Sequence, residues 1–275
     1  MSISGDRNVD VMERRTETES APLIRMRGIV KSFGAVQAVR SADLTLSPNE
    51  VLGLVGDNAA GKSTLMKILT GVHQPDEGQI EFEGRPVVLR SPRESRALGI
   101  EMIYQNLALA PNLDVVGNVF LGREHRRAIG PVRWLDEPRM ERETRELLHR
   151  LRINIASVRT NVERMSGGQQ QAIAIARAVA FQAKIIIMDE PTASLAVKEV
   201  GKVLDIIGQL RTRSVSVILI SHRLQDIFTV ADRVMVLRTG QCVAERKIKD
   251  TSMDEIVKYI VGAEAGDISA IASGR

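Results

Sequence analysis

Four short runs in this chain carry almost nothing but apolar side chains: Val51-Leu52-Gly53-Leu54-Val55, Ile185-Ile186-Ile187-Met188, Val217-Ile218-Leu219-Ile220 and Val234-Met235-Val236-Leu237. Successive residues of a strand point to opposite faces, so strands apolar at every position must be covered on both sides. Helical stretches separate most of these runs, which predicts an α/β fold with a parallel sheet between helical layers. Gly61 to Leu69 has helical spacing, with Leu65, Ile68 and Leu69 on one face. Leu23 to Leu46 and Ile80 to Leu89 alternate instead and contain turns such as Glu83-Gly84, which suits a small antiparallel sheet. From about Arg93 to Leu151 the pattern is mainly helical, and a helical subdomain is expected over about 93–180. Within it, Glu141 to Glu146 alternates in charge sign and reads as a solvated helix face.

Composition narrows the class. The 275 residues are 44% hydrophobic and 26% charged, ordinary for a globular protein that buries a full core. Only 3% are aromatic, too few for the stacking platforms of single-stranded nucleic-acid binders. A net charge of +4 suits lipid headgroups or nucleic acid, and its plainer reading is solubility. The single Cys242 excludes an internal disulfide framework, fits a reducing compartment and reads as a structural thiol. The longest apolar run, Ala172 to Met188, is broken by Arg177, Gln182 and Lys184 and falls short of a membrane span. The N-terminus lacks a secretory pattern, so a cytoplasmic chain is expected, with any membrane contact made through a partner. Residues 1–22 are polar and aperiodic and are expected to be a disordered tail. A second loose tail is expected over 263–275, leaving one domain over 23–262. There is no internal repeat.

Three segments carry chemistry. Gly56-Asp57-Asn58-Ala59-Ala60-Gly61-Lys62-Ser63, followed by Thr64, fits the phosphate-loop pattern of Gly, four residues, then Gly-Lys-Ser, set between a buried strand and a helix. Backbone N–H groups and the helix N-terminus would cradle phosphate, Lys62 would reach the β- and γ-phosphates of ATP, and Ser63 would ligate Mg²⁺. Ile185 to Met188 delivers Asp189 and Glu190 to a strand end. There Asp189 would hold Mg²⁺ and Glu190 would act as general base toward water. Ser166-Gly167-Gly168-Gln169-Gln170 precedes an alanine-rich apolar helix, and its bare backbone and hydroxyl form a second anion site. One chain then has two sites for one phosphate cluster, which two chains packed head to tail around two ATPs would reconcile.

On these motifs the chain resembles the ATP-binding-cassette (ABC) transporter ATPases from about Leu23 to Gly262. The resemblance implies a P-loop core with an antiparallel β subdomain and a helical subdomain, and ATP hydrolysis with Mg²⁺. It assigns Gln105, after the strand Ile100 to Ile103, as the glutamine that contacts Mg²⁺ and the attacking water. It assigns His222 as the histidine at the γ-phosphate and Phe33 as the aromatic that stacks on adenine. It implies that Ser166 to Gln170 touch the nucleotide of a second cassette, most simply in a homodimer. Two positions depart from the family pattern. Ala59 stands where glycine is usual, and a positive φ there would cost roughly 1–2 kcal/mol. Ala196 stands where the family often has aspartate.

Lys31 to Val39, Pro75 to Ile80 and Asn118 to Glu124 further resemble bacterial monosaccharide importers of the ribose, xylose and fructose kind. That resemblance implies a peripheral subunit at the cytoplasmic face of the inner membrane, a separate permease and, indirectly, a periplasmic sugar-binding protein, with no nucleic-acid partner. A cassette for another importer or an exporter shares the same motifs. A chromosome-maintenance relative would carry a long heptad insertion and a ribosome-associated one a second cassette; neither is present.

Overall fold

The computed structural model describes residues 21–129 and 131–262. The expected tails at 1–22 and 263–275 therefore lie almost wholly outside the described residues. The chain opens with β1 (Ile24–Phe33), β2 (Val36–Leu46) and β3 (Val51–Val55), then α1 (Lys62–Leu69), β4 (Glu77–Phe82) and β5 (Arg85–Val87). It continues through α2 (Pro92–Ala97), β6 (Ile100–Ile103), α3 (Val115–Phe120), the hairpin β7 (Arg126–Ile129) and β8 (Val132–Leu135), and α4 (Glu137–Arg150). After α5 (Gly167–Ala180) come β9 (Ile185–Asp189), α6 (Val197–Arg211), β10 (Ser216–Ile220), α7 (Leu224–Val230), β11 (Arg233–Arg238), β12 (Gln241–Lys247) and α8 (Met253–Val261).

All four apolar runs lie in one six-stranded sheet, ordered β12-β11-β3-β10-β9-β6. Its pairings are parallel except for β11 with β12. The period-two alternation divides the strand residues between two cores. Val51, Val55, Ile186, Met188, Val217, Leu219, Val234 and Val236 face the layer of α3 to α6. Leu52, Leu54, Ile185, Ile187, Ile218, Ile220, Met235 and Leu237 face α1 and the antiparallel sheet β2-β1-β4-β5. Each fully buried aliphatic side chain contributes about 1.5–3 kcal/mol. A polar residue in these runs would therefore lose burial whichever face it occupied.

Two local outcomes differ from the periodicity reading. Within Arg93 to Leu151 the strand expected at Ile100 to Ile103 is β6, beside β9 in the central sheet, whereas β7–β8 is an unexpected two-stranded ribbon. Val132-Arg133-Trp134-Leu135 is strand-favouring by composition, which outweighs helical spacing over so short a run. Helix α5 begins at Gly167, so the Ser-Gly-Gly-Gln-Gln segment is the first turn itself and not a prelude to it. Cys242 is half-buried on β12, and burial pushes its thiol pKa upward.

The charged face of α4 is confirmed. Glu141 pairs with Arg145 at 2.7 Å and with Arg159 at 2.7 Å, while Glu143 pairs with Arg139 at 2.8 Å. These are exposed pairs of little individual worth.

Ala196 proves to be the N-cap of α6, with an extended backbone (φ −65°, ψ 149°) and no side-chain cap bond. Aspartate at an N-cap accepts from the orphan N–H groups of the first turn, and Asp against Ala is worth about 1 kcal/mol. Ala196→Asp is expected to raise the melting temperature by about 2–4 °C, the shift of about 1 kcal/mol in a domain of this size. A calorimetric scan that shows no rise would mean that the cap site cannot accept the side chain.

Candidate active site

Strand register brings the expected residues to one edge. In parallel pairing β10 aligns Ile220 with Leu54 of β3 and with Asp189 of β9, and β6 aligns Ile103 with Met188. The residues that follow each strand therefore emerge together: Gly56 after β3, Gln105 after β6, Glu190 after β9 and His222 after β10. Open α/β sheets bind ligands at this carboxyl end.

The loop from Gly56 to Gly61 is built on left-handed backbone. Gly56 has φ 150° and Gly61 φ 99°, and a Cβ on either would collide with a backbone carbonyl oxygen, of Leu237 and Ala38 respectively. Ala59 holds φ 65°, so the strain expected of a non-glycine residue is present. Asp57 accepts from the N–H of Asn58 at 2.7 Å, and the Ala60 N–H donates to the Asp57 carbonyl at 3.1 Å. Helix α1 starts at Lys62, so the unpaired N–H groups of its first turn, at Lys62, Ser63 and Thr64, face the loop. The Lys62 Nζ donates to the carbonyls of Gly56 at 2.7 Å and Asp57 at 2.9 Å. Burial lowers its pKa, opposed by the fields of Glu190, Asp189 and Asp57. Ser63 presents an exposed hydroxyl beside it.

Burial raises the pKa of both carboxylates at the end of β9. For Asp189 the field of Lys62, then of Lys67, pulls the other way. For Glu190 the field of His222 opposes burial, whereas Asp189 reinforces it. The His222 Nδ1 lies 2.7 Å from Glu190 Oε2. His222 therefore acts on the carboxylate first through its charge and then through hydrogen bonding, which together oppose the effect of burial. Glu190 also holds φ 52° while its N–H donates to Ile220 at 3.0 Å. A strained, half-buried carboxylate whose proton affinity burial raises is suited to taking a proton.

The donor set offered to a divalent cation is hard oxygen: the Ser63 hydroxyl, the Asp189 carboxylate and the exposed Gln105 amide. These suit Mg²⁺. Mg²⁺ characteristically takes one or two protein oxygens together with phosphate oxygens, which a set of this size would leave room for.

Phe33 ends β1 with its ring 44% exposed, in edge contact with His73 (centroids 5.1 Å apart) and with the Lys31 Nζ 5.7 Å from its centroid. Asp76 fixes this corner: it accepts from the Lys31 Nζ at 2.6 Å and from the Ser32 N–H at 2.7 Å, and these bonds lower its pKa. Two segments noted separately in the sequence thus meet in one contact.

Ser166 caps α5 reciprocally with Gln169. The Gln169 N–H donates to Ser166 Oγ at 3.4 Å, and the Ser166 N–H donates to Gln169 Oε1 at 3.1 Å. Gln170 ties the helix to the preceding turn through the carbonyls of Val162 and Met165. Bare backbone has a second reason here. A Cβ on Gly167 would stand 2.9 Å from Leu195 Cδ2, and one on Gly168 would stand 2.9 Å from Glu199 Cβ. The glycines let α5 approach α6 and the loop after Glu190.

Sequence reading passed over Asp226 and Thr192. Asp226 on α7 is 3% exposed, accepts from the Thr192 hydroxyl at 2.5 Å and lies 3.7 Å from the Arg223 Nε. It pins the segment after Glu190 to the one after His222. The only signal was an acidic residue four positions beyond His222, in a stretch that is otherwise apolar toward the core.

The ABC transporter family matches residues 39–193. The fructose import ATP-binding protein FrcA of Rhizobium meliloti is 44% identical over 256 residues, covering 92% of this chain and 98% of that protein. The xylose/arabinose import ATP-binding protein XylG of Sulfolobus acidocaldarius is 43% identical, covering 90% and 97%.

The chain belongs to the ABC transporter family.

A ribose import ATP-binding protein of Rubrobacter xylanophilus is 47% identical, but this chain spans only 46% of its length. A nucleotide-free ATP-binding cassette from an ABC transporter superposes with a TM-score of 0.74 at 25% identity, over 93% of this chain and all of that one. The fold is thus that of the ABC cassette, and its reaction is ATP hydrolysis.

Two outcomes are expected of the cassette. Glu190→Gln should lower ATP turnover at least a hundredfold, the ordinary worth of a general base. The melting temperature should not fall, because a neutral amide replaces a buried carboxylate; phosphate release and a thermal scan check both, and wild-type turnover would remove Glu190 from the role. Asp226→Leu leaves the buried Thr192 hydroxyl unpaired and should destabilise by about 1–3 kcal/mol. Adding Thr192→Val should recover part of that loss, and strict additivity in the double-mutant cycle would deny the coupling.

Proposed function

We propose that this cassette powers import of a monosaccharide through a separate membrane permease, as the ATP-hydrolysing, peripheral subunit at the cytoplasmic face of a bacterial inner membrane. Two relatives matched over nearly their whole length are sugar import proteins, and this supports the substrate class. Among the described residues no helix is long and apolar enough to cross a membrane, consistent with a permease on another chain. A periplasmic sugar-binding protein would deliver the cargo to that permease. Another importer or an exporter is the alternative reading.

The observation that carries the mechanism is the separation of two anion-binding helix ends on one chain: α1 behind the phosphate loop and α5 behind Ser166. Two copies packed head to tail would place Ser166 and Gly168 of one against the γ-phosphate held by Lys62 of the other. Lys62 leaves its two carbonyl partners for phosphate oxygens, and the N–H groups from Gly56 to Thr64 neutralise the rest. Phe33 offers its exposed face to adenine. Mg²⁺, when bound with ATP, would neutralise charge on the β- and γ-oxygens, with Ser63, Asp189 and Gln105 the residues to hold it. Glu190 takes the proton of the attacking water. His222, in contact with Glu190, orients the carboxylate and faces the γ-phosphate. A groove of about 270 Å³ lined by Tyr104, Leu121, Arg123, Arg177 and Phe181 lies beside Gln105 and is suited to receive the permease.

Ser166→Arg is expected to leave ATP affinity within about twofold yet abolish turnover, since its site serves the partner's nucleotide. An equal loss of binding would argue against a composite site. Because burial raises the Glu190 pKa and the base must be ionised, kcat is expected to fall, as pH drops, at values above the ordinary carboxylate range. A turnover plateau reaching down to that ordinary range would contradict this. Deletion of the subunit, followed by uptake of a panel of labelled monosaccharides and unrelated solutes, tests the cargo class. Unchanged sugar uptake with loss of another solute would favour the alternative.

A further inference from the structure

The hairpin β7–β8 gathers three exposed apolar side chains on one short ribbon. Trp134 is 59% exposed, Val132 50% and Leu135 47%. Register pairs Arg127 with Trp134 and Arg126 with Leu135. Arg126, Arg127 and Arg133 are all exposed, and none forms an ion pair among the described residues. The ribbon carries no acidic side chain; the field of Arg126 reaches the nearby Glu124, without an ion pair between them. Glu124 accepts from the Gly122 N–H, Asp136 caps α4 and Glu143 is held by His125 and Arg139.

A second observation adjoins it. An open cleft of about 500 Å³ is lined by Arg93, Arg96 and Arg123 together with Ala97, Leu121 and Gly122, and contains no carboxylate in its wall. Arg123 reaches out of it to Glu101 at 2.7 Å, whereas Arg93 and Arg96 have no such partner among the described residues. Arg126 follows Arg123 by three residues, so cleft and ribbon start within about 11 Å of each other along the chain. Arg123 and Leu121 also line the groove beside Gln105.

We propose that this ribbon, with the Arg93 side of the adjoining cleft, forms a contact surface for an anionic phospholipid bilayer, with Trp134 seated at the headgroup level and Arg93, Arg126, Arg127 and Arg133 on phosphate. The chemistry points to lipid. A tryptophan with flanking aliphatics and cations is the composition that settles at a membrane interface, and each basic residue near an anionic surface adds to binding. Arginine suits phosphate because its planar fork donates two parallel hydrogen bonds. An apolar protein partner would favour a groove without three unpaired like charges. The placement rests on the permease reading, because the groove beside Gln105 then faces the membrane and the ribbon continues from its rim.

Trp134 is the only tryptophan of the chain, so its fluorescence reports this site alone. The full chain is mixed with vesicles of phosphatidylcholine, and with vesicles in which about a third is phosphatidylglycerol, at low and high salt. The expected result is co-sedimentation and a blue-shifted emission only with the anionic vesicles, weakened by salt. The triple variant Arg126→Glu, Arg127→Glu, Arg133→Glu should lose partitioning at least tenfold while its ATP turnover in solution stays unchanged. Glycerol phosphate added at millimolar concentration should neither shift the emission nor displace the vesicles. No binding, equal binding to neutral vesicles, or anionic binding that leaves Trp134 unshifted and survives the triple variant would each overturn the proposal. None of those results touches solute uptake, so the transport reading stands or falls separately.

Discussion

The pairing of β10 with β3 on one side and β9 on the other is the contact on which the site depends. These three strands carry no charged side chain before their ends, and both their faces are sealed by separate cores. Chemistry can therefore sit only where the strands stop. Register then does the aligning: Ile220 lies level with Leu54 and with Asp189, so the phosphate loop, the paired carboxylates and His222 leave the sheet together. A slip of one residue would turn apolar side chains to the wrong core as well as displace the site. The fold thus protects catalytic geometry with the same burial that stabilises it.

Around that edge a second set of contacts links the segments that must respond to nucleotide. Arg177 on α5 donates to the carbonyls of Leu107 and Ala108, just beyond Gln105, at 2.9 Å each. The fully buried Asn118 holds the same segment through four bonds, to Ala110, Leu113 and Asp114. The other end of α5, at Gly167 and Gly168, rests on Leu195 and Glu199, just past Glu190. Helix α5 therefore spans from the loop after Glu190 to the loop after Gln105. A shift at the carboxylate edge has a rigid lever to the groove lined by Tyr104 and Arg177. The uncapped start of α6 at Ala196 lies within this lever.

Much of this was legible in the sequence, and the reasons are physical. Gly56 to Ser63 and Asp189-Glu190 announce themselves because their neighbours are apolar runs that can only be buried strands. For Ala59 the resemblance supplied only a condition, the cost of a positive φ where glycine is usual, and the backbone meets that condition at φ 65°. The hairpin β7–β8 was not legible, since four residues per strand are too few for a period to emerge against the charged helix that follows. Asp226 was invisible for another reason. Its partner Thr192 lies 34 positions away, and only the folding of β9 beside β10 makes them neighbours. The double duty of Gly167 and Gly168 likewise depends on α6 arriving from later in the chain.

The active edge is also where the molecule stores unfavourable energy. Ala59 and Glu190 both hold left-handed backbone, and Asp189, Glu190 and Lys62 are all pushed by burial toward their neutral forms. Each costs stability, and strained residues persist only where surrounding structure over-determines them. That support is visible: the Glu190 N–H is held by Ile220, and Thr192 by Asp226. The cost has a use. A lysine and two carboxylates that are poorly solvated without a ligand gain most from phosphate and a cation, so nucleotide binding relieves what folding leaves unpaired. In the proposed head-to-tail pair, such relief would make binding energy available for closing two cassettes against each other. The αL alanine in the phosphate loop is then a position where a stabilising change need not improve the enzyme, because looser backbone would hold the N–H groups less firmly before phosphate arrives.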